Sequence, residues 1–225
     1  MKFSKVSLAY GERTILKNID VSLERGDFVF IIGSSGSGKT SFIRGMIGAF
    51  PPKSGKILDS QDRDIYKLHS QDLLSYRRNI GVIFQDFKLL PLKTVRENVA
   101  FAMEVCGYDN STILKRVPEV LAQVGLLTKK DKFIESLSGG ELQRTAIARA
   151  LIHNPDIIIG DEPTGNLDPK NAEEIISLLE KLHQQGKTIV ISTHDDRLVN
   201  SMKKRVITFA NGGVFSDIQA GTYNV

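Results

Sequence analysis

Residues 33–40 read Gly-Ser-Ser-Gly-Ser-Gly-Lys-Thr, and that spacing constrains the chain more than any other stretch. It is a phosphate-binding pattern: a glycine, four residues, then Gly-Lys-Thr. Glycines let a backbone pass close to phosphate oxygens, and successive N–H groups then point inward as an anion nest. The helix expected from about Lys39 adds the positive end of its dipole. In such a loop Gly33, Ser34, Ser35, Gly36, Ser37, Gly38 and Ser41 form the cradle. Lys39 reaches the β- and γ-phosphates, and the Thr40 hydroxyl holds Mg²⁺. The pattern needs a strand before it and a helix after it. Asp27–Ile32 is a short apolar run of the buried-strand kind, and Thr40–Ile47 reads as a helix stopped by Gly48.

The rest of the chain keeps that alternation. Residues 2–9 alternate weakly and read as an edge strand; Tyr10–Arg13 is a turn, and Ile15–Leu23 returns as a second strand. Lys56–Asp59, Gly81–Phe84, Asp156–Asp161 and Thr188–Ser192 are further short strands, with a final hairpin around Asn211–Gly213. Between Phe84 and the strand at Asp156 the texture changes. Thr94 can cap a helix to about Val105, Ser111 starts another that carries Pro118, and a third runs from near Gly140 through Leu151. Asn171–His183 and Arg197–Lys203 are helices of the resumed core. Buried strands alternating with helices argue a layered, mostly parallel sheet interrupted by an all-helical lobe.

Composition bounds the function. A formal charge of +4 suits an anionic ligand or membrane surface but is too small to argue nucleic acid. The single cysteine, Cys106, forbids an intrachain disulfide and fits a reducing compartment. His69, His153, His183 and His194 form no metal-ligand spacing with it. Met1–Val6 lacks a signal-peptide apolar region, and no apolar run approaches the ~20 residues of a membrane span. The expectation is a cytoplasmic protein whose membrane role, if any, comes through a partner.

Two further stretches carry chemistry. Ile157–Ile159 lead into Asp161 and Glu162. A strand delivering acids at its C-terminal end beside a phosphate loop suits Mg²⁺ at Asp161 and a general base at Glu162. Leu137-Ser-Gly-Gly-Glu141 opens a helix, so Ser138 with the N–H groups of Gly139 and Gly140 forms a second helix-start anion site. Two phosphate sites beside one nucleotide loop suggest that the second serves another subunit.

The order of Gly33–Thr40, Gln85, Leu137–Glu141, Ile157–Glu162, Asn166–Asp168 and His194 resembles the ATP-binding-cassette ATPases across essentially the whole chain. The resemblance implies one domain over 1–225, with a P-loop α/β core at 1–85 and 151–225. An N-terminal antiparallel β subdomain and a helical lobe at about 86–150 complete it. It implies ATP and Mg²⁺ as cofactors and a head-to-tail homodimer in the ATP-bound state. By the same resemblance Tyr10 stacks on adenine, and Gln85 touches Mg²⁺ and the attacking water. Ser138, Gly139 and Gly140 clasp the opposite subunit's γ-phosphate, Asp168 crosses the interface, and His194 is a switch near the γ-phosphate. Phe84–Pro91 with Thr94–Val99 is similar to the cell-division branch of that family, whose partner is an integral membrane protein. Asp161–Asp168 is shared with lipoprotein-release and macrolide-export branches, which remain the alternative; a DNA-repair cassette lacks support because no heptads or cysteine clusters split the motifs. Gly160 stands where that branch leads one to expect alanine. Phe87, Leu89, Leu90 and Leu92 crowd beside Gln85 and are expected to form an exposed docking cluster for the membrane partner.

Overall fold

The structure, a computed structural model, describes residues 1–223. In chain order the first elements are β1 (Lys2–Tyr10), β2 (Arg13–Ser22), β3 (Phe28–Ile32), α1 (Lys39–Met46), β4 (Ser54–Leu58), α2 (Ser70–Arg78) and β5 (Ile80–Phe84). Three longer helices follow: α3 (Val95–Glu104), α4 (Asn110–Gln123) and α5 (Gly139–Leu151). The chain then returns through β6 (Ile157–Asp161), α6 (Pro169–Gln184), β7 (Thr188–Ser192), α7 (Asp196–Met202), β8 (Arg205–Ala210) and β9 (Gly213–Ile218).

Two sheets result. The larger has strand order β5-β6-β7-β3-β8-β9, parallel except for the β8–β9 hairpin. The smaller is antiparallel, in the order β2-β1-β4. The two faces of β3 explain the layering, because side chains alternate along a strand. Val29 and Ile31 join Phe42, Ile43 and Met46 of α1 and the inner faces of β1 and β2. Phe28, Phe30 and Ile32 face the other way, into a cluster with α5 and α6. The apolar faces of α3 and α4, led by Val95, Val99, Val117 and Leu121, belong to that same second cluster. The α/β fold with an antiparallel β layer and added helices is the expected one.

The first strand is not an edge. β1 lies between β2 and β4. Its weak alternation has a local cause: Lys5 takes a φ of 50° and the register shifts between Phe3 and Val6. This bulge inserts one residue, so Phe3 and Val6 both turn inward although three positions apart. Two helix starts also differ from expectation. α4 begins at Asn110 because Asp109, not Ser111, is its cap, accepting from the Thr112 N–H at 2.9 Å. α6 begins at Pro169, with Asp168 as its cap and the proline in the first turn, where a missing N–H costs nothing.

The segment after Gln85 is pinned rather than splayed. Phe87 and Lys88 both have positive φ, 58° and 51°. Arg149 of α5 donates to their carbonyls at 2.8 and 2.6 Å. The fully buried Asn98 accepts from the Leu90 N–H at 2.7 Å and donates to the Leu90 carbonyl at 3.2 Å. Phe87, Leu89 and Leu90 are therefore half-buried, and only Leu92, 79% exposed, stands out of the expected cluster.

Candidate functional site

The phosphate loop joins β3 to α1, and its backbone explains its glycines. Gly33 has φ 148°, and a Cβ there would stand 2.4 Å from the Phe209 carbonyl oxygen. Gly38 has φ 104°, and its Cβ would meet Leu16 Cδ2 at 2.4 Å. Lys39 folds back over the loop, donating from Nζ to the carbonyls of Gly33 at 2.7 Å and Ser34 at 3.2 Å. Ser37 Oγ is buried and has no hydrogen-bond partner in the protein. The loop thus offers inward polar groups and a cation whose present partners are exchangeable carbonyls.

A pocket of about 690 Å³ opens over the loop, lined by Gly33–Ser41 together with Arg13, Ile15, Glu162, His194 and Tyr223. Sheet order assembles it. β6, β7 and β3 are neighbours and parallel, so the segments leaving their C-terminal ends meet at one edge. The loop follows β3, His194 follows β7, and Glu162 follows β6. Asp161 pairs with Ser192 across the β6–β7 ladder, and its carboxylate accepts from the Ser192 hydroxyl at 2.6 Å. Glu162 has φ 50°; its N–H donates to Ser192 O and Oγ, each at 3.1 Å. Its carboxylate lies 3.3 Å from His194 Nδ1.

Other expected site residues lie apart from this pocket. Tyr10 stacks on Phe50 with ring centroids 4.3 Å apart, and its hydroxyl accepts from Arg44 at 3.0 Å. Gln85 is exposed beside the loop after β6: its carbonyl accepts from Asn166 at 2.9 Å, and a Cβ on Gly165 would stand 3.0 Å from its Nε2. Ser138 and Gly139 are exposed at the start of α5. Ser138 forms a capping box there, accepting from the Glu141 N–H while its own N–H donates to the Glu141 carboxylate at 3.1 Å. Gly140 is buried, and a Cβ on it would collide with Asn171 Oδ1 at 2.2 Å, so this glycine lets α5 and α6 approach. Asp168 is exposed and caps α6 through the Asn171 N–H at 3.1 Å. The Asn171 side-chain amide and that N–H hold its carboxyl below the usual range.

Sequence reasoning missed Arg13, Ile15 and Tyr223 in the pocket, and Ser192 behind the acids. None belongs to a motif; β2, β7 and the segment after β9 bring them in. Burial, with the carboxylates of Asp196 and Glu162, pushes the Tyr223 phenol up. For a metal, the hard oxygen donors at this end of the sheet are the Thr40 hydroxyl in the pocket wall and the Asp161 carboxylate at the end of β6, outside the pocket lining and against Ser192; both are of the Mg²⁺ type. Among the described residues no group of three His, Cys, Asp or Glu could hold a metal ion. That donor set fits an ion that keeps its waters and arrives with phosphates.

Residues 16–165 match the family model described as ABC transporter. The chain is 47% identical over 210 residues to the cell division ATP-binding protein FtsE of Streptococcus pneumoniae, covering 93% of this chain and 91% of that protein. It is 47% identical to the FtsE of Bacillus subtilis, covering 92% and 91% of the two chains. Among solved structures, a dimeric ATP-binding cassette in a post-hydrolysis state with ADP and Pi superimposes with TM-score 0.86, at 34% identity over 99% of each chain.

Proposed function

The chain belongs to the ABC transporter family, and from that premise we propose that it is an FtsE-like ATPase subunit that drives an FtsX-like membrane partner in cell division and cell-wall hydrolase control. It binds and hydrolyses ATP, and its working form is a head-to-tail homodimer. Residues 1–85 and 151–225 act as the nucleotide-binding core, and the lobe at about 86–150 carries the second phosphate site.

The roles follow from placement. The Gly33–Ser41 backbone cradles the phosphates, and Lys39 exchanges its loop carbonyls for β- and γ-phosphate oxygens. Thr40, Asp161 and Gln85 would hold Mg²⁺, which neutralises phosphate charge when bound. Glu162 takes the proton from the attacking water, and His194, 3.3 Å away, orients its carboxylate and faces the γ-phosphate. Gly33–Ser41 with Lys39 stabilise the charge that develops as the phosphoryl group leaves. Tyr10 supports the adenine after turning from Phe50.

One observation carries the dimer. Ser138 sits at an exposed helix start outside its own chain's nucleotide pocket, with its oxygen accepting from the Glu141 N–H and its hydroxyl beside the Glu141 carboxylate. Such a site needs a second chain to meet a nucleotide. The Ser138–Gly140 end of one chain then closes over the phosphates of the other, with Asp168 at the crossing.

Among the described residues no helix is long and apolar enough to cross a membrane, so the protein is proposed to sit at the cytoplasmic face of the cell membrane through its partner. The segment after Gln85 is the proposed seat of that partner, with Leu92 as its exposed anchor. The test is co-purification with the membrane subunit alongside ATPase assays of Leu92→Glu. The variant is expected to lose the partner and keep intrinsic hydrolysis. Wild-type retention of the partner would move the docking site elsewhere, and absence of Mg²⁺-dependent hydrolysis in the wild type would overturn the enzymatic reading.

A further inference from the structure

Gln143 lies on α5, five positions after Ser138, and is completely buried. Its Nε2 donates to the Pro163 carbonyl at 2.5 Å, while its Oε1 receives no hydrogen bond from the protein. A buried amide answered on one side only is costly, and methionine would fill similar space without that cost. Nor does α5 need it as an anchor, because Ala146, Ile147, Ala148 and Leu151 already bury that helix.

What the bond holds is the residue next to Glu162. Glu162 sits at φ 50°, a region that residues with a Cβ seldom adopt and keep only where their surroundings enforce it. Three restraints surround it. The Glu162 N–H is fixed on Ser192, and its carbonyl accepts from the Gly165 N–H at 3.1 Å. The Pro163 ring lies against Gly160, where a Cβ would stand 2.8 Å from Pro163 Cγ. This contact gives the unexpected glycine its place. Proline has no N–H, so the carbonyl is the only backbone group by which Pro163 can be gripped, and Gln143 grips it.

We propose that Gln143 is a positioning residue for ATP hydrolysis. It locks the Glu162–Pro163 turn so that the Glu162 carboxylate stays aimed into the nucleotide pocket beside His194. The inference rests on the reading of Glu162 as general base. Because Ser138 caps α5, one helix carries both the exposed phosphate site and the grip on the residue after the chain's own base.

The full-length chain tests this with three variants assayed for kcat, KM, ATP affinity and pH profile. Gln143→Met removes the donor at similar volume. It is expected to lower kcat by about tenfold or more, as a misplaced catalytic group does, with ATP affinity within about twofold. Gln143→Glu can donate to the Pro163 carbonyl only while protonated, and burial favours that form. Its kcat is expected to follow the wild type on the acid side and fall on the alkaline side, in a limb that neither wild type nor Gln143→Met shows. Wild-type kcat in folded Gln143→Met, equal losses of kcat and ATP affinity, or a Gln143→Glu profile identical to wild type would each overturn the proposal. If Gln143→Met does not fold, the alkaline limb of Gln143→Glu decides alone. Glu162→Gln in the same assay separates the premises. Free hydrolysis by it removes the base and this inference together; an inactive Glu162→Gln beside an unaffected Gln143→Met removes only the role of Gln143.

Discussion

His194 Nδ1 lies 3.3 Å from Glu162 Oε2 at the mouth of the nucleotide pocket, although 32 positions separate the two residues in the chain. The contact exists because β6 and β7 are adjacent and parallel, so both side chains leave the same edge of the sheet. If His194 orients the base, His194→Ala should reduce kcat by roughly 10²-fold, the lower range of a general acid–base contribution. ATP affinity should hold within about twofold, since binding rests on the loop. Steady-state kinetics beside equilibrium nucleotide binding check this, and an unchanged kcat would remove His194 from the mechanism.

Lys39 Nζ is bonded to the phosphate loop itself, and both these partners are backbone carbonyls. Phosphate oxygens offer it stronger, charge-assisted bonds. Lys39→Ala is expected to weaken ATP binding by at least about tenfold and to abolish hydrolysis. Titration with a fluorescent nucleotide reads the affinity directly; wild-type affinity would mean that the lysine stays folded on the loop.

Acid sensitivity is expected at the start of α3. The Glu97 carboxylate accepts from the Thr94 N–H and hydroxyl, each at 2.8 Å, with Lys93 nearby, and its pKa falls from 4.5 to about 2. The folded pKa lies below the unfolded one, so the unfolded chain takes the proton first as pH drops. This contribution is fully present above the unfolded value of 4.5 and is lost as pH falls through about 2. Glu97→Gln should therefore melt below wild type at pH 7, and the gap should close toward pH 2. A gap constant across that range would contradict the capping-box origin.

Much of this architecture is legible in the residues because its signals are local. The loop pattern, the apolar strands at Phe28–Ile32 and Thr188–Ser192, and the Thr94 cap each depend on neighbours in sequence. The position of β1 is not legible: a bulge at Lys5 blurs the period-2 alternation of a half-buried strand, and its second edge is covered by β4, some fifty residues on in the chain. The start of α6 had a usable signal that goes unread when attention follows apolar spacing: Asp168 before Pro169 is a cap followed by a first-turn proline. The pocket is harder. Arg13, Ile15 and Tyr223 arrive from segments with no motif, and Tyr10, expected to stack on adenine, is stacked on Phe50 outside the pocket lining. Only the packing of β2 and of the segment after β9 against the loop decides which side chains line it.

The Ser138 helix start of one chain is proposed to complete the nucleotide site of another. Sedimentation of Glu162→Gln and of Glu162→Gln/Ser138→Arg in Mg·ATP, with ATP affinity measured on both, tests it most directly. Glu162→Gln is expected to bind ATP without hydrolysing it, and so to accumulate as a dimer. The added arginine places bulk where the partner's phosphate belongs and leaves the chain's own loop intact. The double variant should bind ATP with unchanged affinity and sediment as a monomer. A double variant that dimerises as fully as Glu162→Gln would contradict the shared site.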